Sequence, residues 1–256
     1  MILATWNVNS ITVRLPQLLD WLERVKPNVV CLQETKVIDE KFPATEIQAL
    51  GYHVEFYGEK AYNGVAIISD APLTNVERGL QKEVGKASKR IIAGSYGNVR
   101  VVDVYIPNGG EVGSEKYAYK LEWIAALKEQ LSSKNKPDEL LVVTGDFNVA
   151  PLDIDVFDPK AAAGGILVSD SERQALEDLK AWGFEDVFRK FHSQTGLYSW
   201  WDYRMGAFRR NMGFRIDHIW ASAPLAAKAQ TVYIDKEPRK LEQPSDHAPV
   251  VAEFQL

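Results

Sequence analysis

Short apolar, strand-like runs recur along this chain, and each one meets a carboxylate, an amide or an imidazole at its end. The run at residues 214–216 is expected to stop at Asp217, and a polar triplet precedes a closing strand at residues 248–254. The polar residues beside these runs are Asn7, Gln33, Glu34, Asp146, Asn148, Asp217, Asp246 and His247. A sheet with ligands at several strand ends can assemble a rigid site from distant sequence. These residue types suit a hard metal ion and phosphate chemistry.

Strand and helix signals alternate, which predicts a mixed α/β fold. Strand-like runs cover residues 2–6, 29–32, 64–68, 90–95, 99–105, 140–143 and 248–255. Apolar residues at helical spacing predict helices over residues 15–25, 117–131 and 171–182. In the second helix the apolar stripe is Leu121, Ile124, Ala125, Leu127 and Leu131. We expect two sheets packed face to face with helices outside, in one domain over residues 1–256.

Helix caps and two long loops are also predicted. Ser169 or Asp170 is expected to cap the third helix, and Gly183 follows its end. Residues 151–165 are expected to form a long polar loop. Residues 196–215, rich in aromatics and arginines, are expected to form an exposed loop that carries short strands.

The bulk composition is that of an ordinary globular protein. The chain has 256 residues, of which 46% are hydrophobic and 25% charged, enough for a large buried core. Cys31 is the single cysteine, so an intramolecular disulfide is excluded. The first residues lack a basic leader segment, and no apolar stretch is long enough to span a bilayer. We therefore expect a cytoplasmic location and no membrane partner.

The charge balance by itself argues mildly against a nucleic-acid partner. The net charge is −5, but a metal site concentrates carboxylates, and local basic patches can coexist with a negative total. Two basic groups are present, at Arg204, Arg209, Arg210 and Arg215 and at Lys86, Lys89 and Arg90. From charge alone, solvated surface charge is the favoured interpretation of both.

Three residues near the first two strands are candidate metal ligands. Glu34 lies just beyond a buried strand, where a carboxylate can hold Mg²⁺ rigidly, although a surface glutamate is the commoner outcome. Asn7 and Asn9 can ligate a metal or bond a phosphate oxygen. A turn or a helix N-cap is the alternative, and it is stronger for Asn9.

Asp146, Asn148 and Tyr105 follow two other strands. In an extended segment, Asp146 and Asn148 would point to the same face, so the first could act on a proton and the second on a phosphate oxygen. A plain turn after the strand is the alternative. Tyr105 could donate its hydroxyl to a phosphate, or be a half-buried aromatic at a strand end.

Asp217 and His247 form a candidate pair. A carboxylate beside an imidazole fixes its tautomer and raises its pKa, and the resulting imidazolium can stabilise a phosphate oxyanion. A structural histidine is the general alternative, but the neighbouring Asp246 favours a metal site. Separately, aromatics lie among the arginines of residues 200–215, a pattern that suits contacts to unstacked sugars and phosphates or, equally, a local core.

The order of these segments resembles one family. The matching motifs are residues 6–9, 32–36, 64–66, 105–109, 145–148, 199–204, 215–217 and 245–249. Together they span nearly the whole chain, in the order found in exonuclease III-type apurinic/apyrimidinic (AP) endonucleases of the endonuclease/exonuclease/phosphatase superfamily. The resemblance implies a four-layer α/β sandwich, one or two Mg²⁺ or Mn²⁺ ions, and a role in DNA repair. It also implies a monomer that cleaves duplex DNA 5′ to abasic sites and trims 3′ ends.

The same resemblance implies a role for each matching residue. Glu34 would be the principal metal ligand, with Asn7, Asn9 and Asp246 close to the metal. Asp146 would activate the attacking water, and Asp217 would orient His247. The residues that would hold the scissile phosphate are Asn148, Tyr105 and His247.

Substrate contacts are expected from a second set. Trp200 and Phe214, together with Leu225, would lie near the pocket for an abasic sugar, where aromatic walls exclude a normal nucleotide by size. Arg90 and Arg204 are expected to bind the substrate. Two departures from the family pattern are Glu111, which would repel phosphate, and the loop at residues 151–169. Alternative functions are a superfamily hydrolase acting on phospholipids or phosphoinositides and a non-catalytic DNA-binding module.

Overall fold

The computed structural model describes residues 1–82, 84–85 and 88–256, so Lys86 of the second basic group lies outside the described residues. The strands in chain order are β1 Ile2–Asn7, β2 Val29–Gln33, β3 His53–Tyr57, β4 Val65–Ser69, β5 Thr74–Arg78, β6 Ile91–Tyr96, β7 Val99–Tyr105, β8 Leu141–Asp146, β9 Phe184–Asp186, β10 Asp217–Ser222, β11 Ala229–Ile234 and β12 Val250–Phe254. The α-helices are α1 Ile11–Val25, α2 Ala44–Gln48, α3 Glu115–Lys134, α4 Pro159–Ala162, α5 Asp170–Lys180, α6 Val187–Phe191 and α7 Ala223–Ala226. Short 3₁₀ turns are Asp39–Lys41, Asp153–Asp155, Arg204–Gly206 and Pro238–Lys240.

The strands form two six-stranded mixed sheets with the same internal plan. Their orders are β11-β12-β1-β2-β4-β3 and β5-β6-β7-β8-β10-β9. In each sheet the two central strands are parallel, β1 with β2 and β7 with β8, and a long helix, α1 or α3, connects them. The remaining strand pairs are antiparallel. The predicted mixed α/β class is confirmed.

Three apolar layers hold the sheets and helices together. Leu3, Val29 and Val142 are among the side chains that fill the space between the two sheets. A second cluster packs α1 on the outer face of the first sheet, and a third packs α3 and α5 on the outer face of the second. The order helix, sheet, sheet, helix is the predicted four-layer sandwich, because each sheet buries both of its faces.

The predicted helices are present, with differences at the ends and on one face. α1 starts at Ile11, earlier than predicted, and ends before Pro27, where Lys26 closes it in a left-handed conformation. Ser169 caps α5 with a capping box to Glu172, as one of the two predicted caps. In α3 the predicted apolar stripe is partly wrong, because Ala125 is exposed while Lys120 is fully buried.

Within the described residues, no helix is long and apolar enough to cross a membrane.

Candidate active site

The functional residues meet at one edge of the sandwich, where β1, β2, β7 and β8 end. β10 and β12 run antiparallel to β8 and β1, so their first residues come to the same edge. The prediction that a strand over residues 214–216 stops at Asp217 is wrong. Asp217 begins β10 and is paired directly with Asp146, the last residue of β8. The parallel strands thus contribute their last residues to this edge, and the antiparallel neighbours contribute their first residues.

The segment that carries His247 is tied to β1 by two hydrogen bonds and braced by one within itself. Ser245 Oγ donates to the backbone oxygen of Asn7 at 2.6 Å and accepts from His247 N at 3.2 Å. Trp6 Nε1 donates to the backbone oxygen of His247 at 3.3 Å. These contacts fix the imidazole over the end of β1.

Four predicted residues form the centre of the site. Single ligand atoms of Glu34, Asp146 and His247 all lie within 4.8 Å of one another. Asn7 Nδ2 bridges the two carboxylates, donating to Glu34 Oε1 at 2.8 Å and to Asp146 Oδ2 at 2.9 Å. Three different strand ends therefore bring two carboxylates and an imidazole together.

The predicted pair of Asp217 and His247 is formed. His247 Nδ1 contacts Asp217 Oδ2 at 2.9 Å, and His247 Nε2 lies 3.8 Å from Asp146 Oδ2. Burial lowers the pKa of His247, but the carboxylates of Asp217 and Asp146 outweigh it and raise the pKa to about 10. The ring is therefore an imidazolium whose Nε2–H faces the centre of the site.

The two central carboxylates differ in their protonation. Burial is the main cause that raises the pKa of Asp146 to about 7, with the charge of His247 lowering it and that of Asp217 raising it. Burial also acts on Glu34, but the ammonium of Lys36, 2.7 Å from Oε2, and the hydrogen bond from Asn7 bring its pKa below the ordinary value. Glu34 is thus a permanent anion, whereas Asp146 can exchange a proton near neutral pH.

Asn148 lies beside Asp146, but not by the geometry that the sequence suggested. The chain is not extended there, because Asn148 has a φ of 50°. Its backbone N–H donates to Asp146 Oδ1 at 2.9 Å. Its side chain accepts from Asn108 Nδ2 at 3.0 Å and donates to the backbone oxygen of Ile106 at 2.9 Å. The left-handed turn, and not strand alternation, places the amide at the site.

Tyr105 and Arg90 stack on each other beside Glu34 and Asp146. The Arg90 guanidinium stacks 4.5 Å from the Tyr105 ring centroid and donates to the Tyr105 backbone oxygen at 3.2 Å. Burial, followed by the charges of Glu34 and Asp146, raises the pKa of Tyr105 well above its usual value. The phenol therefore stays protonated and able to donate a hydrogen bond.

Asn9 and Asp246 form a neighbouring group. Asp246 accepts from Asn9 Nδ2 at 2.9 Å and from Trp200 Nε1 at 2.9 Å. The amide oxygen of Asn9 accepts from Lys36 Nζ at 2.5 Å. Lys36 therefore connects this group to Glu34, and the metal-ligand roles of Asn9 and Asp246 stay predictions.

An apolar cluster adjoins Asp246 and His247. Trp200 and Phe214 meet edge to face, with ring centroids 5.8 Å apart, over a small cluster that includes Val156 and Val168. Leu225 lies instead between the two sheets, in α7, so its predicted place beside the pocket is wrong. Arg204 is 84% exposed and ion-paired with Asp202 at 2.5 Å, and its role in substrate binding stays a prediction.

Arg215 departs from the surface-charge interpretation. It is fully buried and ion-paired with Asp155 at 2.6 Å and with Asp186 at 2.7 Å. Its buried ion pairs tie residues 153–155, β9 and the segment before β10 together. Trp201, in the same segment of aromatics and arginines, is also fully buried. This segment therefore belongs partly to the protein core.

Comparison with known proteins assigns the whole chain to the same family that its ordered motifs resemble. The profile of the Endonuclease/Exonuclease/phosphatase family matches residues 4–247. Exodeoxyribonuclease III of Haemophilus influenzae is 35% identical, with 98% of each chain covered. A 3′ phosphatase from Neisseria bound to a product DNA hairpin is 42% identical, and an AP endonuclease from Archaeoglobus fulgidus is 40% identical. Both structures cover all of each chain and have a TM-score of 0.96.

The chain belongs to the Endonuclease/Exonuclease/phosphatase family. The resemblance drawn from the ordered motifs is thereby confirmed.

The family's requirement for a metal fits the donors at the site. Glu34 and Asp146 supply hard carboxylate oxygens within reach of one ion. The ammonium of Lys36 against Glu34 Oε2 shows that this oxygen already accepts a positive charge. Glu34, with Asn7 beside it, is therefore the part of the family site best suited to a cation.

Sequence reasoning missed Lys36 and Asn108 as site residues. Both were inside recognised motifs, at residues 32–36 and 105–109. The available signal was position, since each lies within three residues of a candidate. Their contacts with Glu34 and Asn148 required the fold.

Proposed function

We infer that this chain is a hydrolytic, metal-dependent nuclease of DNA repair. The proposal includes incision of duplex DNA 5′ to abasic sites and trimming of 3′ ends. The observation that carries it is the meeting of Glu34, Asp146 and His247 at one sheet edge, in a chain similar over its full length to an exodeoxyribonuclease III and an AP endonuclease. The Neisseria 3′ phosphatase, whose structure holds a DNA hairpin, supports the 3′-end part of the proposal.

The proton chemistry follows from the two protonation states at the site. Asp146, with a pKa raised to about 7, accepts the proton of the attacking water. His247, an imidazolium positioned by Asp217, donates from Nε2 to a phosphate oxygen as negative charge develops. Asn148 and Tyr105 supply further donors to the scissile phosphate.

The cofactor we propose is Mg²⁺ or Mn²⁺, as one or two ions held principally by Glu34, with Asn7, Asn9 and Asp246 close by. When bound, it supplies Lewis-acid stabilisation of charge on the phosphate and the leaving 3′ oxygen. Lys36 and Asn7 keep Glu34 ionised and oriented for it.

We assign the apolar cluster of Trp200 and Phe214 to contact with the abasic sugar. Aromatic walls over an apolar floor favour a sugar without a base. Arg90 and Arg204 would bind the flanking phosphates. A single domain over residues 1–256, a monomeric state and a cytoplasmic location remain predictions.

One experiment tests this function. Three end-labelled duplexes, carrying an internal abasic site, a recessed 3′ end or a 3′ phosphate, are incubated with Mg²⁺ or with EDTA, and the products are resolved on a sequencing gel. Cleavage directly 5′ to the abasic site, 3′ shortening and phosphate release are expected with Mg²⁺ alone. Intact duplexes beside hydrolysis of a phosphoinositide would overturn the proposal in favour of the lipid alternative.

A further inference from the structure

A fully buried ion pair lies beneath the site, between the outer helices and the ends of β7 and β8. Lys120 of α3 contacts Glu172 of α5, and neither side chain has any exposed surface. Two charges are unfavourable to bury unless their remaining polar atoms also find partners. The partners of this pair therefore indicate what it holds in place.

Lys120 uses all three of its N–H groups on defined partners. One contacts Glu172 Oε1, and the others donate to the backbone oxygens of Asn148 at 2.7 Å and Asn108 at 3.1 Å. Asn108 lies just after β7 and Asn148 just after β8. One ammonium thus ties together the two loops that leave the central parallel strands at the site.

The same loops are joined to the reacting groups by their own hydrogen bonds. Asn108 Nδ2 donates to Asn148 Oδ1, and the backbone N–H of Asn148 donates to Asp146 Oδ1. Asn148 has a left-handed φ of 50°, a conformation that asparagine adopts more readily than most residues, and these hydrogen bonds hold it there. A single residue, Asn148, therefore separates the ammonium of Lys120 from the carboxylate of Asp146.

Glu172 secures the other side of the site. Its carboxylate accepts from the backbone N–H groups of Leu167 at 3.1 Å and Ser169 at 3.0 Å, and from Ser169 Oγ at 2.6 Å. The backbone oxygen of Leu167 in turn accepts from Ala150 N at 2.7 Å. The loop that supplies Val156 and Val168 to the apolar cluster with Trp200 is thereby fixed at both ends.

We propose that Lys120 is a positioning residue for phosphodiester cleavage, acting through the Asn148 backbone, with Glu172 as its counter-ion and as the anchor of the loop after β8. This proposal rests on the proposed function, because it assigns Asp146 and Asn148 to the reaction.

The test separates positioning from stability with two variants. Lys120→Met leaves the Glu172 carboxylate buried without its cation, so both the thermal midpoint and the turnover fall. The double variant Lys120→Met/Glu172→Gln removes both charges and keeps an acceptor for the Ser169 amide. Because loss of both charges relieves the unpaired anion, its thermal midpoint is expected to lie well above that of Lys120→Met.

The turnover of the double variant distinguishes a positioning role of Lys120 from a role in stability alone. We expect kcat on the abasic duplex to stay about 10²-fold below wild type, with a much smaller change in KM, because the Asn148 carbonyl has lost its donor. Leu127→Ala, a buried truncation on the same helix that packs in the apolar outer layer, is the matched control. It should lose thermal stability and keep near-normal kcat below its midpoint.

A double variant with recovered stability and wild-type kcat would overturn the proposal, as would equal losses of kcat in Lys120→Met and Leu127→Ala. If Lys120→Met does not fold, Lys120→Gln takes its place, since a neutral amide can still donate to one carbonyl. It should lose more kcat than Leu127→Ala, and parity would again overturn the proposal. Wild-type protein that leaves every duplex intact would count against the proposed function instead.

Discussion

Each sheet delivers one of the two central carboxylates to the site, and these two carboxylates have opposite properties. Glu34 follows β2 of the first sheet, and its pKa lies below the ordinary value. Asp146 ends β8 of the second sheet, and its pKa is raised to about 7. One is suited to holding a cation and the other to taking a proton, a division of roles that arises from environment and not from residue type.

Local chain conformation explains the difference. After β2 the chain turns, with positive φ at Glu34 and Lys36, and the turn returns the Lys36 ammonium to the carboxylate. β8 instead runs straight to its last residue, which is buried and directly opposite Asp217 in the neighbouring strand. The turn after β2 thus brings the Lys36 ammonium to Glu34. The continuous pairing of β8 with β10 instead buries Asp146 and places the Asp217 carboxylate opposite it.

The largest effect is expected from Asp146→Asn. An amide cannot accept the proton of water, so kcat on the abasic duplex should fall by about 10³-fold. The apoprotein should at the same time become more stable at pH 8. A carboxyl group whose pKa is raised on folding loses its stabilising contribution as the pH rises through about 7, and the amide removes that loss.

The two readouts for Asp146→Asn are single-turnover kinetics with Mg²⁺ and thermal unfolding in EDTA. Near-normal turnover would show that Asp146 is not the base. An unchanged or lower thermal midpoint at pH 8 would show that folding does not raise the pKa of Asp146.

Glu34→Gln should give a smaller loss with the opposite sign in stability. Removal of the permanent anion is expected to raise the Mg²⁺ concentration for half-maximal cleavage by on the order of 10²-fold. The pKa of Glu34 is lowered on folding, so its contribution to stability is present at pH 8 and is lost only as the pH falls below the ordinary value of 4.5 and through the lowered pKa. The variant apoprotein should therefore be less stable at pH 8, as measured by the same unfolding assay. A higher midpoint would remove the contrast between the two carboxylates.

The sequence predicted the central strands well and missed the four edge strands β3, β5, β9 and β11. Central strands such as β2 and β8 are buried at every position, so they appear as continuous apolar runs. Edge strands are partly exposed and mix polar with apolar residues, as Thr74–Arg78 does, so apolar runs do not mark them. β10 was displaced for another reason, since its first residue, Asp217, was interpreted as the end of a strand.

The site was predictable where motifs carry it and unpredictable where support comes from distant elements. Asn7, Glu34, Asp146 and His247 follow from strand ends and ordered motifs. Lys120 could not be found in this way, because helical periodicity assigns a lysine to the solvent face. Its burial depends on two carbonyls and a carboxylate that the fold brings together.

Asp217→Asn tests the imidazolium of His247, with an expected kcat loss of about tenfold because Asp217 acts through His247. The pKa of His247 rises from 6.5 to about 10 on folding. Its contribution to stability is therefore complete below pH 6.5 and is lost as the pH rises through about 10. In EDTA the wild-type midpoint should fall between pH 7 and 10, and this fall should flatten in Asp217→Asn. Parallel pH profiles for the two proteins would contradict the assignment.

Lys36→Met should produce the smallest change, and it probes the difference between the two carboxylates most directly. The ammonium lies 2.7 Å from Glu34 Oε2, where it keeps the carboxylate ionised but also repels a divalent ion. Its removal should lower the Mg²⁺ concentration for half-maximal cleavage by about threefold at pH 8, because the divalent ion no longer meets that repulsion. The acid limit of activity should shift upward, because the pKa of Glu34 loses its main lowering partner. Weaker Mg²⁺ binding at pH 8 would instead assign Lys36 to orienting Glu34, and the two carboxylates would then differ by geometry more than by charge.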